Sequence, residues 1–286
     1  MTDGLLVVDK PAGWTSHDVV GKVRRLAGTR RVGHAGTLDP MATGVLVIGV
    51  NRATRLLGHL ALHDKAYDAT IRLGSATTTD DAEGELVGGD ASEAAASLTD
   101  QQIADAMSRL TGEIGQVPAS VSAIKVDGVR AYAKARAGHA VVLEPRPVTV
   151  SEFSLTARRG AELDVHVTCS TGTYVRALAR DLGAALGVGG HLTALRRTRS
   201  GPYAVTEART VEALEASFAL TPLAEAAARA FPSIQVDAQQ AARIANGQRL
   251  ALDVTPPTSA VFAPDGRLVA LVTDRDGVAQ PVCVFG

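Results

Sequence analysis

The segment GHAGTLDPMATG, residues 33–44, decides how the rest of the chain is interpreted, because it combines three glycines with one proline and a single carboxylate. Its glycines permit left-handed backbone or the close approach of another chain segment. Pro40 fixes its own φ and pushes Asp39 towards an extended conformation. The pattern therefore predicts a loop that holds the Asp39 side chain in a fixed place.

The apolar run that follows, VLVI at 45–48, lies between two glycines and predicts a buried strand. A carboxylate at the entrance of a core strand is costly unless it is paired or used. The residues alone leave two interpretations open. Asp39 either accepts hydrogen bonds from backbone amides in a tight turn, or it is a functional carboxylate on a rigid support.

Composition places the chain among ordinary globular proteins. With 286 residues, of which 46% are apolar, it can form one large core or a large and a small domain, and we expect the second. The sequence contains no stretch of eighteen apolar residues and no secretory leader, so we expect a cytoplasmic protein without a membrane anchor. Cys169 and Cys283 are too isolated to indicate a disulfide framework or a metal cluster.

Charge is unevenly distributed although the net charge is −1. Residues 1–60 carry eight Lys and Arg against four Asp and Glu, and residues 125–209 carry thirteen against seven. Residues 79–113 carry nine acids and one arginine. If the two basic segments meet in space they form a surface for a polyanion; otherwise these charges are scattered solvated faces.

Several further elements follow from periodicity and capping signals. Thr15 or Ser16 is expected to cap a helix that ends at Gly28, and Thr173 is expected to cap a second helix. Strict alternation predicts half-buried strands. These strands are expected at 67–73, 148–159 and 162–169.

Three side chains have an ordinary interpretation from the residues alone. Tyr67 is the first inward-facing residue of a predicted strand, and this position is typical of a core tyrosine whose hydroxyl is hydrogen-bonded. Leu195 reads as a strand core residue. Arg176 lies in the first turn of a helix, where a cation gains nothing from the helix dipole, so it is either exposed or close to an anion.

Three motifs in order resemble those of the TruB family of pseudouridine synthases: HAGTLDP with ATG at 34–44, GTYVRAL at 172–178, and GGHLTALRRT at 189–198. The resemblance covers roughly residues 4–210. It implies an α+β fold with a mixed, mainly antiparallel sheet and flanking helices in a catalytic domain at 1–230. It also implies a basic thumb-like insertion at about 125–147. Phe231-Pro232 marks a boundary, and the tail at 231–286, with its own short strands, resembles a small β-rich, PUA-like RNA-binding domain.

The resemblance also implies roles for individual residues. Asp39 would be the nucleophile, Arg176 would pair with it, and Tyr67 would stack on the target base. The remaining roles concern substrate contact and support. They fall on Lys10 under the active site, His34 in the gap left in the RNA, Asp81 near the cleft, Tyr174 and Leu195 at the pocket wall, and Arg196 and Arg197 facing RNA. Thr171 stands where the family has a lysine, so that phosphate contact is not carried over.

The implied activity is isomerisation of uridine to pseudouridine at position 55 in the tRNA T loop, after the base leaves its stack. The chemistry requires no cofactor and no metal. We expect a monomer that binds tRNA without an obligate protein partner, since the short tail disfavours a guided, dyskerin-like role. The residues do not decide whether Asp39 attacks the ribose or the base. A nucleoside or RNA N-glycosidase and a non-catalytic tRNA-binding protein are the alternatives.

The basic segment at 125–147 yields a first test. Replacing Lys134 and Arg136 by Glu should weaken binding of a tRNA T stem-loop and lower its salt dependence, because each lost phosphate contact reduces counterion release by roughly 0.7–0.9 in the log–log slope. Filter binding across a salt series measures both quantities. Arg109→Glu, in the acidic segment, is the control. Unchanged affinity in the double variant would count against an RNA-gripping segment.

Overall fold

The computed structural model describes residues 2–119, 125–126, 129–130 and 144–285. Lys134 and Arg136, and most of the insertion expected at 125–147, lie outside these residues. Two compact units are present. The first comprises Met1–Pro40, Gly44–Leu62 and Ser200–Gly286, and the second comprises Met41–Thr43 and His63–Arg199.

Strands and helices alternate irregularly along the chain. The strands are β1 (Gly4–Lys10), β2 (Val32–Ala35), β3 (Thr43–Val50), β4 (Lys65–Leu73), β5 (Ala76–Thr77), β6 (Leu86–Val87), β7 (Gly112–Gln116), β8 (Lys125–Val126), β9 (Val129–Arg130), β10 (Arg146–Arg159), β11 (Glu162–Cys169), β12 (Gly190–Ser200), β13 (Tyr203–Ala204), β14 (Thr221–Pro222), β15 (Ser233–Gln235), β16 (Ser259–Phe262), β17 (Leu268–Arg275) and β18 (Val278–Val284). The α-helices are α1 (Ser16–Ala27), α2 (Leu57–Leu60), α3 (Ser92–Ser97), α4 (Asp100–Arg109), α5 (Val175–Ala185), α6 (Val211–Ala216), α7 (Leu223–Ala230) and α8 (Ala238–Ala245). Short 3₁₀-helices occupy Asn51–Leu56 and Val205–Glu207.

In the first unit, β1 pairs antiparallel with β3 on one side and with β14 on the other, and β2 pairs antiparallel with β3. The apolar run at 45–48 is almost completely buried within β3. Its burial on both faces explains why the sequence shows a continuous apolar run rather than alternation. The buried strand predicted after the Asp39 loop is confirmed.

Helix α1 begins with a capping box. The Thr15 side chain accepts a hydrogen bond from the Asp18 amide, and the Asp18 carboxylate accepts one from the Thr15 amide at 2.8 Å. Gly28 ends the helix with φ of 62°, which a residue without Cβ adopts at no steric cost. Of the two caps considered from sequence, Thr15 is therefore the one used.

The C-terminal part of the first unit is rich in strands, as expected. Strand β16 pairs parallel with β15 and antiparallel with β17, which pairs with β18. One apolar cluster joins these strands to β1 and β3, and includes Leu5, Val47, Phe262 and Phe285. A second cluster forms around Ile244 of α8. The division into domains at 1–230 and 231–286 stays a prediction.

The second unit contains a sheet with the strand order β12-β4-β11-β10-β7. The pairs β4–β11, β11–β10 and β10–β7 are antiparallel. Along β4 the side chains of Tyr67, Ala69 and Ile71 are buried, whereas Asp68 and Arg72 are exposed. The predicted alternation and the mixed, mainly antiparallel α+β architecture are confirmed.

The predicted cap of the second helix is wrong. Helix α5 has Tyr174 as its N-cap residue, and no side-chain hydrogen bond caps it there. The Thr173 hydroxyl instead donates to the Ser170 carbonyl at 3.0 Å. A threonine near a helix start can bond to the preceding turn as readily as to the helix, and here the turn is favoured.

Among the described residues, no helix combines the length and the apolar character that a membrane crossing requires.

Two helical glycines give a matched test of the packing. A Cβ at Gly183 of α5 would overlap backbone atoms of Gly189 and Gly190, whereas a Cβ at Gly21 of α1 would meet no described atom within 4 Å. Gly183→Ala should lower the free energy of unfolding by about 1–3 kcal/mol or more. Gly21→Ala should raise it by about 0.4–1 kcal/mol. Urea unfolding measures both, and equal effects would contradict the close approach of α5 to the start of β12.

Candidate active site

The residues predicted from sequence to form the site are divided between the two units. The first unit carries Lys10, His34 and Asp39. The second carries Tyr67, Asp81, Tyr174, Arg176, Leu195, Arg196 and Arg197.

The loop that carries Asp39 is attached to a buried lysine. The Lys10 side chain, at the end of β1, is completely buried, and its Nζ donates to the carbonyls of Pro11 (2.9 Å), Trp14 (2.6 Å) and Pro40 (3.2 Å). An ammonium group has three protons, and burial of a cation is tolerated only when they are satisfied. Lys10 therefore fixes the residue that follows Asp39.

Ser16 fixes the residue that precedes Asp39. Its hydroxyl is buried, donates to the Leu38 carbonyl at 3.1 Å and accepts from the Leu38 amide at 2.9 Å. The Gly13 amide adds a hydrogen bond to the Pro40 carbonyl at 2.9 Å. Both neighbours of Asp39 are thus held by buried groups. Sequence reasoning considered Ser16 only as a helix cap and missed this role.

Asp39 itself is half-buried. A glycine with positive φ lies on each side of it in the sequence. Gly36 has φ of 89° and Gly44 has φ of 97°, as the glycine pattern suggested. His34 of β2 is also half-buried, and its ring packs edge-on against His17 with 5.7 Å between ring centroids. The loop therefore presents one carboxylate from a backbone with little freedom.

In the second unit, Arg176 forms a buried ion pair. Its Nη1 lies 3.3 Å from Oδ2 of Asp81 and donates to the Thr79 carbonyl at 2.9 Å. The two side chains are 6% and 4% exposed. Of the two possibilities that the sequence left for this first-turn arginine, exposure or closeness to an anion, the second is the one observed. The pairing with Asp39 that the family resemblance implies stays a prediction.

Asp81 is held by its own short loop. Its Oδ1 accepts hydrogen bonds from the Thr79 hydroxyl at 2.5 Å and from the Glu83 amide at 3.1 Å. The Thr77 hydroxyl donates to the Asp81 carbonyl at 2.7 Å. Because Asp81 is buried and bonded in this way, it supports the Arg176 guanidinium and does not lie on a surface that RNA would contact.

A second ion pair runs beside the first. Nη1 of Arg180, one helical turn after Arg176, lies 3.1 Å from Oδ2 of Asp80. Burial raises the pKa of the Asp80 carboxyl, and the Arg180 guanidinium opposes that shift. Sequence reasoning missed this pair. The sequence signal for it is that Arg176 and Arg180 are four residues apart, and therefore on one face of the helix, while Asp80 and Asp81 are adjacent.

Leu195 and Arg196 of β12 border a cavity of about 610 Å³ in the second unit. Nη1 of Arg196 donates to the Thr43 hydroxyl at 3.3 Å, also at this cavity. The volume falls within the range of small-ligand pockets, roughly 300–1,000 Å³. Other lining residues are Met41, Asp68, Thr70 and Asp164.

Arg197 differs from the prediction that it faces RNA. Its side chain is only 1% exposed, because successive side chains of β12 point to opposite faces of the sheet. Lys65, also buried, lies near it and donates to the His63 carbonyl at 2.6 Å. Burial, with a smaller contribution from the Arg197 charge, lowers the pKa of Lys65 to about 8. Of the two neighbouring arginines, only Arg196 is partly exposed.

Across the described ranges, no group of three or more His, Cys, Asp or Glu side chains is placed to hold a metal ion.

Models of protein families match most of the chain in three consecutive blocks. Residues 24–175 match the TruB family pseudouridylate synthase (N terminal domain). Residues 176–230 match the tRNA pseudouridylate synthase B C-terminal domain, and residues 231–286 match tRNA Pseudouridine synthase II, C terminal.

Curated relatives are similar over their full length. A protein of Thermobifida fusca (strain YX) is 59% identical, covering 100% of this chain and 99% of the relative. One of Cutibacterium acnes (strain DSM 16379 / KPA171202) is 59% identical with the same coverage. Both are described as tRNA pseudouridine synthase B.

Solved structures share the fold. A Cbf5-Nop10-Gar1 complex contains a chain that is 25% identical with a TM-score of 0.74, covering 99% of this chain and 84% of that one. An H/ACA RNP bound to a substrate RNA containing 2'-deoxyuridine gives 25% identity and a TM-score of 0.73, with 99% and 85% coverage.

Loss of the buried Arg176–Asp81 ion pair should destabilise the fold far more than loss of an exposed ion pair. Asp81→Ala removes the carboxylate beside the buried Arg176 guanidinium and should lower the free energy of unfolding by about 3–5 kcal/mol. The control is Asp100→Ala, whose carboxylate lies 2.7 Å from Nη1 of Arg158 but is 74% exposed. Its loss should cost about 0–1 kcal/mol. Similar urea midpoints for the two variants would contradict a supporting role for Asp81.

Proposed function

Because the chain belongs to the TruB family of pseudouridylate synthases, we propose that it isomerises uridine to pseudouridine in tRNA, with uridine 55 of the T loop as its target. The observation that carries the proposal is the Asp39 loop. A single carboxylate stands between two residues fixed by the buried Lys10 and Ser16. Such fixed placement is what a nucleophile requires and what a simple turn does not.

The reaction needs few protein groups. The glycosidic bond from C1′ of the ribose to N1 of uracil breaks, and a bond from C1′ to C5 forms. N1 gains a proton, and C5 loses its proton to solvent. Neither oxidation nor hydrolysis takes place, so one nucleophilic carboxylate accounts for the chemistry without a cofactor.

Asp39 attacks as a carboxylate, at either the ribose or the base. Both routes need the ionised form, which nearby cations favour. We assign this task to the Arg176 guanidinium and to the Lys10 ammonium, which is bonded to the carbonyl of Pro40, the next residue. The planar Arg176 group, already fixed by Asp81 and Thr79, has little freedom left to lose during the reaction.

The target base must leave its stack to be reached, at a cost of a few kcal/mol. We assign His34 to the gap that the base leaves and Tyr67 to stacking on the extruded uracil. We also assign Tyr67 a part in removing the proton from C5. We assign Tyr174 and Leu195 to the pocket wall. The cavity that Leu195 and Arg196 border, which Tyr174 does not line, is large enough for a nucleoside.

The proposal extends to how the chain works in the cell. The solved neighbours are described as complexes with Nop10, Gar1 or RNA. This chain is proposed to act in the cytoplasm as a monomer on tRNA, without an obligate protein partner. Residues 1–230 would perform the catalysis, and residues 231–286 would add RNA contact.

Asp39→Asn tests the function directly. The substrate is a T-loop hairpin with tritium at C5 of its uridines, and release of tritium to water reports isomerisation. The wild type should release tritium, while the variant should lose turnover and keep RNA affinity within about twofold, because amide and carboxylate are nearly isosteric.

Other outcomes of the same assay separate the alternatives. Residual activity within about tenfold of the wild type would refute the nucleophile role. Release of free uracil by the wild type would indicate a glycosidase. Tight binding with neither product would indicate a non-catalytic RNA-binding protein.

A further inference from the structure

The amide side chain of Gln116, at the end of β7, binds the residue that starts helix α5. Its Nε2 donates to the Tyr174 carbonyl at 3.1 Å, and its Oε1 accepts from the Tyr174 amide at 2.8 Å. The Gln116 residue is 2% exposed. One side chain thus holds both backbone groups of one residue on another element.

The two hydrogen bonds with Gln116 replace a local helix cap, in which a neighbouring side chain would bond to the backbone at the helix start. Tyr174 is the N-cap residue of α5, with φ of −103° and ψ of 109°, and has no side-chain cap hydrogen bond. Its carbonyl also accepts the first intrahelical bond, from the Leu178 amide at 3.2 Å. The start of α5 is therefore fixed from strand β7, through Gln116.

Val117, the residue after Gln116, also bonds to helix α5. Nη2 of Arg180 donates to the Val117 carbonyl at 2.7 Å. Contacts at Tyr174 and at Arg180 lie on either side of Arg176 along α5. Together they fix both the position of the helix along its axis and its rotation, and hence the backbone from which Arg176 projects.

We propose that Gln116 is a positioning residue for the isomerisation, acting through Tyr174 and Arg176. The inference rests on the proposed function, since it concerns where these two side chains stand relative to the uridine. Gln116 has no direct contact with substrate in this account. Displacement of a reacting or charge-stabilising group by about 1 Å can reduce a rate on the order of a hundredfold, so a distant amide can control the chemical step.

The competing explanation is that Gln116 only satisfies buried backbone groups. That role would add stability and leave the chemistry of the folded chain unchanged. The two explanations differ in the single-turnover rate constant at saturating enzyme, which is independent of the fraction of enzyme that is folded.

Gln116→Met is the main variant, because methionine is of similar length and lacks the amide. We would measure tritium release from the T-loop hairpin with the chain in saturating excess, together with RNA affinity and the melting temperature. The rate constant should fall about tenfold or more, while affinity stays within about twofold. Gln102→Met is the matched control. Its Oε1 accepts from the Thr99 amide at 2.8 Å in the cap of α4, and its loss should leave the rate constant unchanged.

Gln116→Asn, whose amide is one methylene shorter, covers the case in which the Met variant does not fold. If Gln116→Met folds, it decides the question: a reduced rate constant with retained affinity supports the proposal, and a wild-type rate constant overturns it, whether or not the melting temperature falls. If only Gln116→Asn folds, the same two results are judged on that variant. Failure of both variants to fold would assign Gln116 to the core and also overturn it.

A wild type that releases no tritium overturns the proposed function and this inference with it. An active wild type with unaffected variants overturns the inference alone.

Discussion

The Lys10 ammonium, buried beneath the Asp39 loop, makes the contacts on which the position of that loop depends. It binds three carbonyls, one of them from the residue directly after Asp39. A cation buried in this way cannot move without leaving its protons unsatisfied, so the loop is held by electrostatic cost as well as by geometry. Ser16 holds the other neighbour of Asp39, so the backbone on both sides of the carboxylate is fixed.

In the second unit, too, buried charged groups fix side chains in place, but here the cations are the groups that are held. Arg176 is held by Asp81 and Thr79, and Arg180 by Asp80 and the Val117 carbonyl. Groups that are fixed before substrate arrives need little reorganisation during the reaction, and this preorganisation is a principal source of catalysis. The proposed function therefore places the catalytic charges on parts of the structure with little freedom to move.

Local signals in the sequence were sufficient for much of this structure. The Thr15 capping box, Gly28 and the alternation in β4 appear where periodicity and capping chemistry predict them. Long-range contacts were not predictable in this way. Alternation along β12 separates Arg196 from Arg197, but which of the two is buried depends on what packs against the sheet. The Gln116–Tyr174 pair depends on which helix lies beside β7. The chemical role proposed for Asp39 comes from the family resemblance, since spacing alone also allowed a simple turn.

The central claim is that a rigidly held Asp39 meets an extruded uridine. A crystal structure of the Asp39→Asn chain bound to a T stem-loop would test it most directly. We expect an extruded uridine stacked on Tyr67, with the residue 39 side chain within about 3–3.5 Å of the ribose C1′ or the base and with the Lys10 contacts intact. A uridine still stacked in the RNA, with residue 39 directed into solvent, would contradict it.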